Sequence, residues 1–586
     1  MSNILCQAGS SISAADLQRF AGATQFAIRT SVVPGFASRR SRTSATTSAK
    51  GSQYNETRAG PSTQGGGLEV EISQFCPPPD SNPEGLHSGS SEADGDSTGT
   101  YNVGRNPDGT NWEIVALNLE KKTNPLSQDT QRKLAVVILA AGQGTRMKSR
   151  RAKVLHELCG RSMLGHVVTA AEAFNPARLI VVVGRDAEQV EEAFADRVEF
   201  VHQTELKGTG HAVKQALPML ADFSGDVLIL YGDTPLLTAE TFARMLDMKS
   251  NTASDLLMLT AVGPIPGRVV RNAAGKVDRI VEAQDATPEE LEIEERNTGV
   301  YMMNVGLVRE GIASLKDDNQ QGELYLTDVV GYAVQNGLNV EALLLEDGEQ
   351  CLGINTRADL ALATEAMRRR INAAHMEAGV SFVDPSQVYI DAGVEIGADT
   401  LIEPGCVIQG ASVIGNGVHL KSQCVIESSR LDDDVVLGPM AHLRPNCHLM
   451  AGVKIGNFVE IKNSTLGEGT KSAHLTYIGD ATVGSGVNFG CGTIVVNYDG
   501  IEKHRSTIED GAFIGCNSNI ISPVTVGKDA FIAAGTNVSK DVPDDALAVA
   551  RVRQNNLEAW VSKRNARRSK QDKSKQDKGK QDKSKK

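Results

Sequence analysis

The sequence lacks the features that mark secreted, zinc-binding or membrane-spanning proteins. Its nine cysteines stand singly, form no C-x-x-C pair and are odd in number, which argues against a disulfide framework or a zinc site. No apolar run reaches the ~18 residues that a membrane helix needs, and the first residues lack the hydrophobic core of a secretory signal. These absences predict a cytoplasmic protein that is not inserted in a membrane.

Basic residues are scarce outside the carboxyl terminus. The net charge is −12, and residues 563–586 alone carry 12 Lys or Arg against 3 Asp, so the preceding 562 residues sum to −21. Such an acidic body argues against a nucleic-acid enzyme. We therefore expect residues 561–586 to be a solvated, disordered basic tail, with weak contact to RNA or a membrane surface as the alternative.

Residues 1–131 also lack a sustained apolar period. They are rich in Ser, Gly, Thr and Pro, which predicts a disordered extension because little apolar surface is available to offset the entropy of ordering. The first fifty residues contain five Arg and one acid, Asp16. This pattern resembles an organelle transit peptide, and a dispensable or misassigned extension is the alternative.

From Leu134 onward, apolar strands alternate with amphipathic segments, which predicts a parallel α/β sheet. The predicted strands are Leu134–Ala140, Leu179–Val183, Val198–His202 and Val227–Tyr231, and the predicted helices include Met163–Phe174, Ala187–Ala195 and Ala358–Ala374. This domain is assigned to residues 132–371, and residues 372–387 are assigned as a linker.

A six-residue repeat follows, assigned to residues 388–560. An aliphatic or aromatic residue opens each hexad, and three such hexads make one triangular coil of a left-handed parallel β-helix. The count slips by one before Leu431 and shows breaks before Ile478 and Ile508, where we expect loops to leave the coil. The longest such loop is Asn497–Ser506. The hexads open at Ile390, Ile396, Ile402, Ile408, Ile414, Leu420, Ile426, Leu431, Leu437, Leu443, Leu449, Ile455, Ile461, Leu466, Ile478, Val483, Phe489, Ile508, Ile514, Ile520, Val526, Ile532 and Val538.

A glycine-rich turn directly follows the first predicted strand. The segment Leu139–Met147 reads L-A-A-G-Q-G-T-R-M, and Lys153 comes six residues after Met147. Glycines let backbone N–H groups approach phosphate oxygens, while Arg146 and Lys153 supply positive charge for a pyrophosphate leaving group. Taken alone, the turn is equally compatible with a purely structural role.

A second motif, Tyr231-Gly232-Asp233, ends another predicted strand, and ligands bind at this edge of open α/β sheets. Asp233 there suits Mg²⁺, although a helix cap or turn aspartate is the alternative. With Gln203 and the Gly208–His211 segment, these motifs resemble sugar-1-phosphate nucleotidyltransferases. Together with the β-helix motifs, residues 134–560 resemble the bifunctional bacterial enzymes that acetylate glucosamine-1-phosphate and uridylylate the product.

The resemblance implies specific roles for residues of the α/β domain. Arg146 and Lys153 would stabilise developing charge, and Mg²⁺ would be held by Asp233 and Asn355, a pairing that spacing alone cannot predict. The implied nucleotide and sugar contacts are Leu139, Ala140, Ala141, Gly142, Lys153, Gln203, Gly208, Thr209, Tyr231, Gly232, Gly267, Glu282, Asn297 and Thr298.

Hexapeptide β-helices commonly form trimers that bind coenzyme A thioesters in clefts between coils. In this chain, polar segments interrupt the hexads. Acyl transfer to an amine requires a base, and histidine suits this role near neutral pH. A lone histidine is more often structural. However, His474-Leu475-Thr476-Tyr477 matches the catalytic stretch of the family, so His474 is the predicted base.

The same resemblance implies the remaining acetyltransferase contacts. Arg444 and Lys462 would bind the substrate phosphate. The amino sugar would meet Tyr477, Asn488 and Asn497, and acetyl-CoA would meet Cys491, Cys516, Ala534 and Arg551; Tyr498 would contact one of these two substrates. This chain has Cys491 where the family often has Ala and Cys516 where it often has Ser; a thiol at residue 516 predicts sensitivity to thiol reagents.

The sequence therefore predicts a homotrimeric enzyme that uses acetyl-CoA to acetylate glucosamine-1-phosphate, and then UTP and Mg²⁺ to convert N-acetylglucosamine-1-phosphate into UDP-N-acetylglucosamine, a precursor of peptidoglycan and lipopolysaccharide. One alternative is a glucose- or mannose-1-phosphate nucleotidyltransferase with a regulatory β-helix, which should lack the His474–Tyr477 and Asn497–Gly500 stretches. Another is a non-catalytic assembly subunit, which should have lost Arg146, Lys153 or Asp233.

Overall fold

The computed structural model describes residues 134–319 and 321–583. The predictions on residues 1–131, including the targeting segment and its alternative, lie outside these residues. Within the described part, an α/β domain is followed by a triangular parallel β-helix, as the sequence predicts.

The α/β domain contains eleven strands. They are β1 (Leu134–Leu139), β2 (Glu157–Leu158), β3 (Arg161–Ser162), β4 (Arg178–Val183), β5 (Glu199–His202), β6 (Asp226–Tyr231), β7 (Leu256–Val262), β8 (Arg268–Arg271), β9 (Val277–Val281), β10 (Glu295–Asn304) and β11 (Val340–Leu345). The main sheet has the order β11-β7-β10-β6-β1-β4-β5, and β8 and β9 form a hairpin paired with β10. β1 runs parallel to β4 and β6, so these strands end at one edge of the sheet.

Helices cover this sheet on both faces, and all six residues of β1 are buried because neither face is open to solvent. The helices of the domain are α1 (Met163–Glu172), α2 (Ala187–Phe194), α3 (Thr209–Ala216), α4 (Ala239–Thr252), α5 (Pro288–Leu291), α6 (Val305–Ser314), α7 (Asp328–Gln335) and α8 (Arg357–Glu377). Short 3₁₀ turns lie at Thr145–Met147, Lys153–Leu155, Leu217–Leu220, Gly348–Cys351 and, after α8, Pro385–Gln387.

The β-helix has three faces of short parallel strands. The first face contains β12 (Ser381–Phe382), β15 (Leu401–Ile402), β18 (His419–Leu420), β21 (Val436–Leu437), β24 (Lys454–Asn457), β27 (Lys471–His474), β30 (Asn488–Phe489), β33 (Phe513–Ile514), β36 (Phe531–Ile532) and β38 (Leu547–Ala548). The second contains β13 (Tyr389–Ile390), β16 (Val407–Gln409), β19 (Val425–Glu427), β22 (His442–Leu443), β25 (Glu460–Lys462), β28 (Tyr477–Gly479), β31 (Ile494–Val496), β34 (Asn519–Ile521) and β37 (Asn537–Val538). The third contains β14 (Glu395–Ile396), β17 (Val413–Ile414), β20 (Arg430–Leu431), β23 (His448–Leu449), β26 (Thr465–Leu466), β29 (Ala481–Val483), β32 (Ser506–Ile508) and β35 (Thr525–Val526).

The predicted hexad openers form the core of the prism, and all of them are buried. One expected loop is absent, because β27 completes the coil between Leu466 and Ile478 and places Ser472 inward at 0 % exposure. Ser472 pairs in register with Phe489 of the next coil, so a small residue lies beside a large one. Because serine is not apolar, this hexad could not be recognised in the sequence. Val495 fills the other unrecognised inward position. The predicted long loop does leave the coil, between β31 and β32.

Helix α8 leads directly into the β-helix. The side-chain amide of the buried Asn372 donates to the backbone oxygens of Pro385 and Val388, at 2.7 and 3.1 Å. The region predicted as a linker, 372–387, therefore contains the end of α8 and the strand β12, so the first coil begins at Ser381.

The basic tail differs from its predicted disorder. Residues Trp560–Lys583 form a single helix, α9, which is exposed over residues 560–575. Lys, Arg and Gln are good helix formers and no proline interrupts the segment, so local propensity favours a helix even without an apolar face.

Candidate functional site

The glycine-rich turn after β1 lies against the lysine that follows it in sequence. Gly144 adopts a left-handed conformation with φ of 60°, and a β-carbon there would lie 2.6 Å from the β-carbon of Lys153. Glycine is therefore required for the turn to approach the lysine. At the same edge, the backbone N–H of Gly232 donates to the oxygen of Leu139 at 2.9 Å, which holds the Tyr231-Gly232-Asp233 motif beside the turn.

Four polar side chains from distant parts of the chain meet at this edge. The ammonium nitrogen of Lys153 lies 2.5 Å from a carboxylate oxygen of Asp233 and 2.8 Å from the side-chain oxygen of Asn355. The guanidinium of Arg146 donates to that same Asn355 oxygen at 2.9 Å. The side chain of Lys153 is only 9 % exposed, so a charged group is held in a partly desolvated position facing the site.

The start of α8 positions Asn355. The backbone N–H of Ile354 donates to the oxygen of Asp233 at 2.9 Å. The backbone N–H groups of Asn355 and Thr356 both donate to the carboxylate of Asp359, which forms a capping box with Thr356. These bonds stabilise the charged form of Asp359 and lower its pKa, although partial burial opposes the shift. The cap fixes the backbone beside the two proposed magnesium ligands.

The donor atoms of Asp233 and Asn355 suit a magnesium ion. Both oxygens converge on one point, the ammonium nitrogen of Lys153, and Mg²⁺ is commonly bound by one or two protein oxygens plus water and substrate phosphates. Within residues 134–319 and 321–583, no cluster of three or more His, Cys, Asp or Glu could hold a metal ion. A magnesium site here would therefore take most of its ligands from solvent and substrate.

The residues predicted to contact the sugar line one cavity beside these charges. It is bounded by Thr209, Tyr231, Asp233, Thr234, Ile265, Pro266, Gly267, Glu282, Asn297, Thr298, Gly299, Glu323, Tyr325 and Thr327. Burial raises the pKa of Glu282, and the carboxylates of Asp285 and Asp328 add to the effect. The side chains of Glu323 and Tyr325 were not predicted, because no motif marks the loop that carries them.

The predicted uridine-binding residues lie after strands β1 and β5, which are separated in the sheet by β4. Gln203 follows β5 and its side-chain amide donates to the backbone oxygen of Gly208 at 3.1 Å. Gly208 has φ of 93°, which lets the chain turn into α3 at Thr209. A separate small cavity is lined by Ala140, Ala141, Gly142, Ala152, Lys153, Val154, Gly184, Arg185, Asp186 and Val190. The predicted phosphate-binding turn therefore borders open space.

In the β-helix, His474 lies at the solvent-facing end of β27. Its ring is exposed, and Nδ1 lies 2.7 Å from the side-chain oxygen of Asn457 in the preceding coil. The backbone oxygen of His474 accepts a hydrogen bond from Thr476 at 2.8 Å. The imidazole is therefore outside the core and accessible to a ligand.

Basic side chains gather on the second face, whose strand β28 follows His474 in the chain. Arg444 donates to Glu460 at 3.0 Å, and the resulting ion pair raises the pKa of Arg444. The neighbouring ammonium of Lys503 lowers the pKa of Lys462, and Arg444 adds to the effect. Two adjacent ammonium groups repel each other unless an anion lies between them, which makes this cluster suited to a phosphate group.

A polar network lies beside this basic cluster. Asn497 is 7 % exposed; its amide donates to the carboxylate of Asp480 and lies 3.5 Å from the hydroxyl of Tyr477. Tyr498, on the long loop, is exposed and donates to the oxygen of Gly500 at 2.7 Å. Asp480 was not predicted, since an aspartate at a coil corner is indistinguishable in sequence from a turn residue.

The residues predicted to contact acetyl-CoA stack along one corner of the prism. Cys491, Cys516 and Ala534 follow β30, β33 and β36, and successive backbone bonds of 2.8 Å link Asn517 to Cys491 and Gly535 to Cys516. The guanidinium of Arg551 reaches back to the oxygen of Ala534. Asn488 lies on the same face, in register with Lys471 of the strand that carries His474. The corner therefore forms a continuous line of small side chains that leads toward His474.

Two family models match the chain. Residues 136–287 match the MobA-like NTP transferase domain, and residues 393–428 and 505–540 match the bacterial transferase hexapeptide (six repeats). With the two groups of polar residues described above, these matches define a nucleotidyltransferase joined to a hexapeptide-repeat transferase.

Curated relatives narrow this class. The chain is 48 % identical over 449 residues to the bifunctional protein GlmU of Pelobacter propionicus. The aligned region covers 73 % of this chain and 98 % of the relative. It is 47 % identical over 447 residues to the Geobacillus sp. protein of the same name (73 % and 97 %) and 46 % identical over 449 residues to that of Listeria monocytogenes (73 % and 98 %). The chain belongs to the bifunctional GlmU family, and it is an enzyme with uridylyltransferase and acetyltransferase activities.

One structural finding bears on membranes. Of the helices in the described part of the chain, none combines the length and the apolar character needed to cross a bilayer.

Proposed function

We propose that the β-helix acetylates glucosamine-1-phosphate with acetyl-CoA and that the α/β domain then transfers UMP from UTP to N-acetylglucosamine-1-phosphate, releasing pyrophosphate. The product, UDP-N-acetylglucosamine, would supply peptidoglycan and lipopolysaccharide synthesis in the cytoplasm. The domain limits are those assigned above, with the β-helix extended to include β12. The observation that carries the proposal is the presence of two separate sets of convergent polar groups, around Lys153 and around His474.

For acetyl transfer, the amine of the sugar attacks the thioester carbonyl of acetyl-CoA. The C–N bond forms, the C–S bond breaks, and coenzyme A leaves with its sulfur protonated. His474 removes the proton that the amine loses, through the ring nitrogen not bonded to Asn457. Arg444, Lys462 and Lys503 hold the sugar phosphate, and Asn497 and Tyr477 border the amino sugar.

For uridylyl transfer, a phosphate oxygen of the sugar attacks the α-phosphorus of UTP and pyrophosphate leaves. Arg146 and Lys153 neutralise the charge that develops on the leaving group. Glu282 and Asn297 line the sugar cavity and hold the sugar. Asp233 and Asn355 would hold Mg²⁺, which when bound supplies further positive charge to the phosphate oxygens.

A homotrimer is part of the proposal, since hexapeptide β-helices that bind coenzyme A thioesters commonly occur as trimers. The experiment for substrate class is a product assay with the full chain. Glucosamine-1-phosphate, glucose-1-phosphate and mannose-1-phosphate are each offered with acetyl-CoA, UTP and Mg²⁺, with and without EDTA. We expect UDP-N-acetylglucosamine from glucosamine-1-phosphate only, and EDTA should stop pyrophosphate release but not coenzyme A release. Uridylylation of glucose-1-phosphate without coenzyme A release would favour the regulatory β-helix instead.

A further inference from the structure

Asn457 has no role in the proposed chemistry so far, yet it makes a short side-chain contact with the proposed base. The Nδ1 atom of His474 lies 2.7 Å from the side-chain oxygen of Asn457. A carbonyl oxygen only accepts, so this contact requires the proton to be on Nδ1. Nε2 is then the nitrogen with a free lone pair, as a general base needs.

The backbone around this contact fixes its geometry. Asn457 and His474 are register partners in β24 and β27. Each is followed by a residue with positive φ, Phe458 at 58° and Leu475 at 46°. The backbone N–H of Leu475 also donates to the oxygen of Asn457 at 3.0 Å. The two side chains therefore occupy the same corner of successive coils, one directly beside the other.

The residue before Asn457 brings the coils unusually close at this point. A β-carbon on Gly456 would lie 1.9 Å from the backbone oxygen of Ala473, a distance that no side chain tolerates. Glycine at residue 456 thus permits the close approach that places the amide within hydrogen-bond distance of the ring. Other coil glycines also face the backbone of the next coil, but a β-carbon on Gly467, Gly490 or Gly515 would lie 2.4–2.5 Å from it, so the approach at Gly456 is the tighter one.

We propose that Asn457 is a positioning residue for acetyl transfer: it holds the His474 ring in the Nδ1-protonated form and keeps Nε2 directed at the amine. The inference rests on the proposed acetyltransferase site. Asn457 acts through His474 and does not itself touch substrate, so its loss should slow the chemical step without weakening substrate binding.

A matched pair of variants tests this role. Asn457→Leu keeps the size of the side chain but removes the acceptor, whereas Asn457→Asp keeps an acceptor oxygen at the same place. For acetyl transfer, we expect Asn457→Leu to lower kcat roughly 10- to 100-fold, as is typical when a partner that orients a histidine is lost. KM for glucosamine-1-phosphate and acetyl-CoA should change less than about twofold, and Asn457→Asp should retain most of kcat.

Two controls separate the possible failures. Uridylyl transfer, measured on the same preparations, should stay at the wild-type rate and so report correct folding. His474→Ala, measured in parallel, tests the proposed function itself: full acetyl transfer by that variant would refute the histidine base. If His474→Ala is inactive but Asn457→Leu keeps the wild-type kcat, or if Asn457→Asp is as impaired as Asn457→Leu, the positioning role is refuted and the base assignment stands.

Discussion

At the scale of single residues, the structure adds partners that no sequence motif marks. Sequence resemblance assigned Asp233 and Asn355 to one metal ion. Only the folded structure shows that the side-chain oxygens of both residues accept hydrogen bonds from the same lysine, because the first turn of α8 brings Asn355 to Asp233. Lys503 was not predicted, since it lies on an irregular loop where position in the hexad carries no information. Sequence motifs therefore predicted most residues of the two sites, and contacts between distant segments of the folded chain identified the others.

Lys503 should contribute to binding of the substrate phosphate. We expect Lys503→Ala to raise KM for glucosamine-1-phosphate about tenfold, equivalent to ~1.4 kcal/mol, because one charge-assisted contact to the anion is lost. The value of kcat should change little, since the phosphate is not the reacting group. Steady-state kinetics of coenzyme A release measures both, with Lys528→Ala, an exposed lysine elsewhere on the prism, as the control. An unchanged KM would remove Lys503 from the site.

Cys516 should make acetyl transfer sensitive to alkylation. It is exposed at the proposed coenzyme A corner, whereas Cys491 at the same corner is only partly exposed and Cys351, Cys406, Cys424 and Cys447 are buried. Burial also raises the pKa of Cys159 to about 11, which makes its thiol a poor nucleophile. Treatment with N-ethylmaleimide should therefore abolish coenzyme A release and spare pyrophosphate release. Cys516→Ser should resist the reagent; equal inactivation of that variant would place the sensitive thiol elsewhere.

At the scale of elements, periodicity predicted the prism well because each coil must bury one apolar side chain per face. It failed where the core departs from uniform size. Ser472 and Phe489 are register partners, and their unequal volumes preserve packing while breaking the pattern that sequence analysis depends on. The prediction of a disordered tail was wrong for a different reason. The charge of the tail correctly predicted a solvated segment, but helix α9 needs no apolar face to form.

Ser472 offers a test of this packing. Its side chain is 0 % exposed and its hydroxyl has no hydrogen-bond partner, which costs free energy on folding. We expect Ser472→Ala to stabilise the β-helix by about 1 kcal/mol, or roughly 2–4 °C in Tm. Ser472→Ile should instead destabilise it by about 1–3 kcal/mol through overpacking against Phe489. Thermal unfolding followed by circular dichroism measures both; a stabilising isoleucine would show that the position has spare volume.

At the scale of the whole molecule, the chain places two kinds of group transfer on two architectures. The α/β sheet brings loop residues to one edge, where its parallel strands end, and the prism stacks small residues along a corner beside an exposed histidine. The chemistry of one site requires nothing from the other, because their polar groups lie in separate domains. We therefore expect the two activities to be independent and to share only an intermediate.

The independence of the two sites is tested by comparing His474→Ala, Asp233→Ala and an equal mixture of the two, following coenzyme A and pyrophosphate separately. His474→Ala should release no coenzyme A yet form pyrophosphate from N-acetylglucosamine-1-phosphate at the wild-type rate, and Asp233→Ala should do the reverse. The mixture should convert glucosamine-1-phosphate to UDP-N-acetylglucosamine, because the acetylated intermediate diffuses between the variants. Loss of both activities in either folded variant, or a mixture that forms no product, would contradict the account.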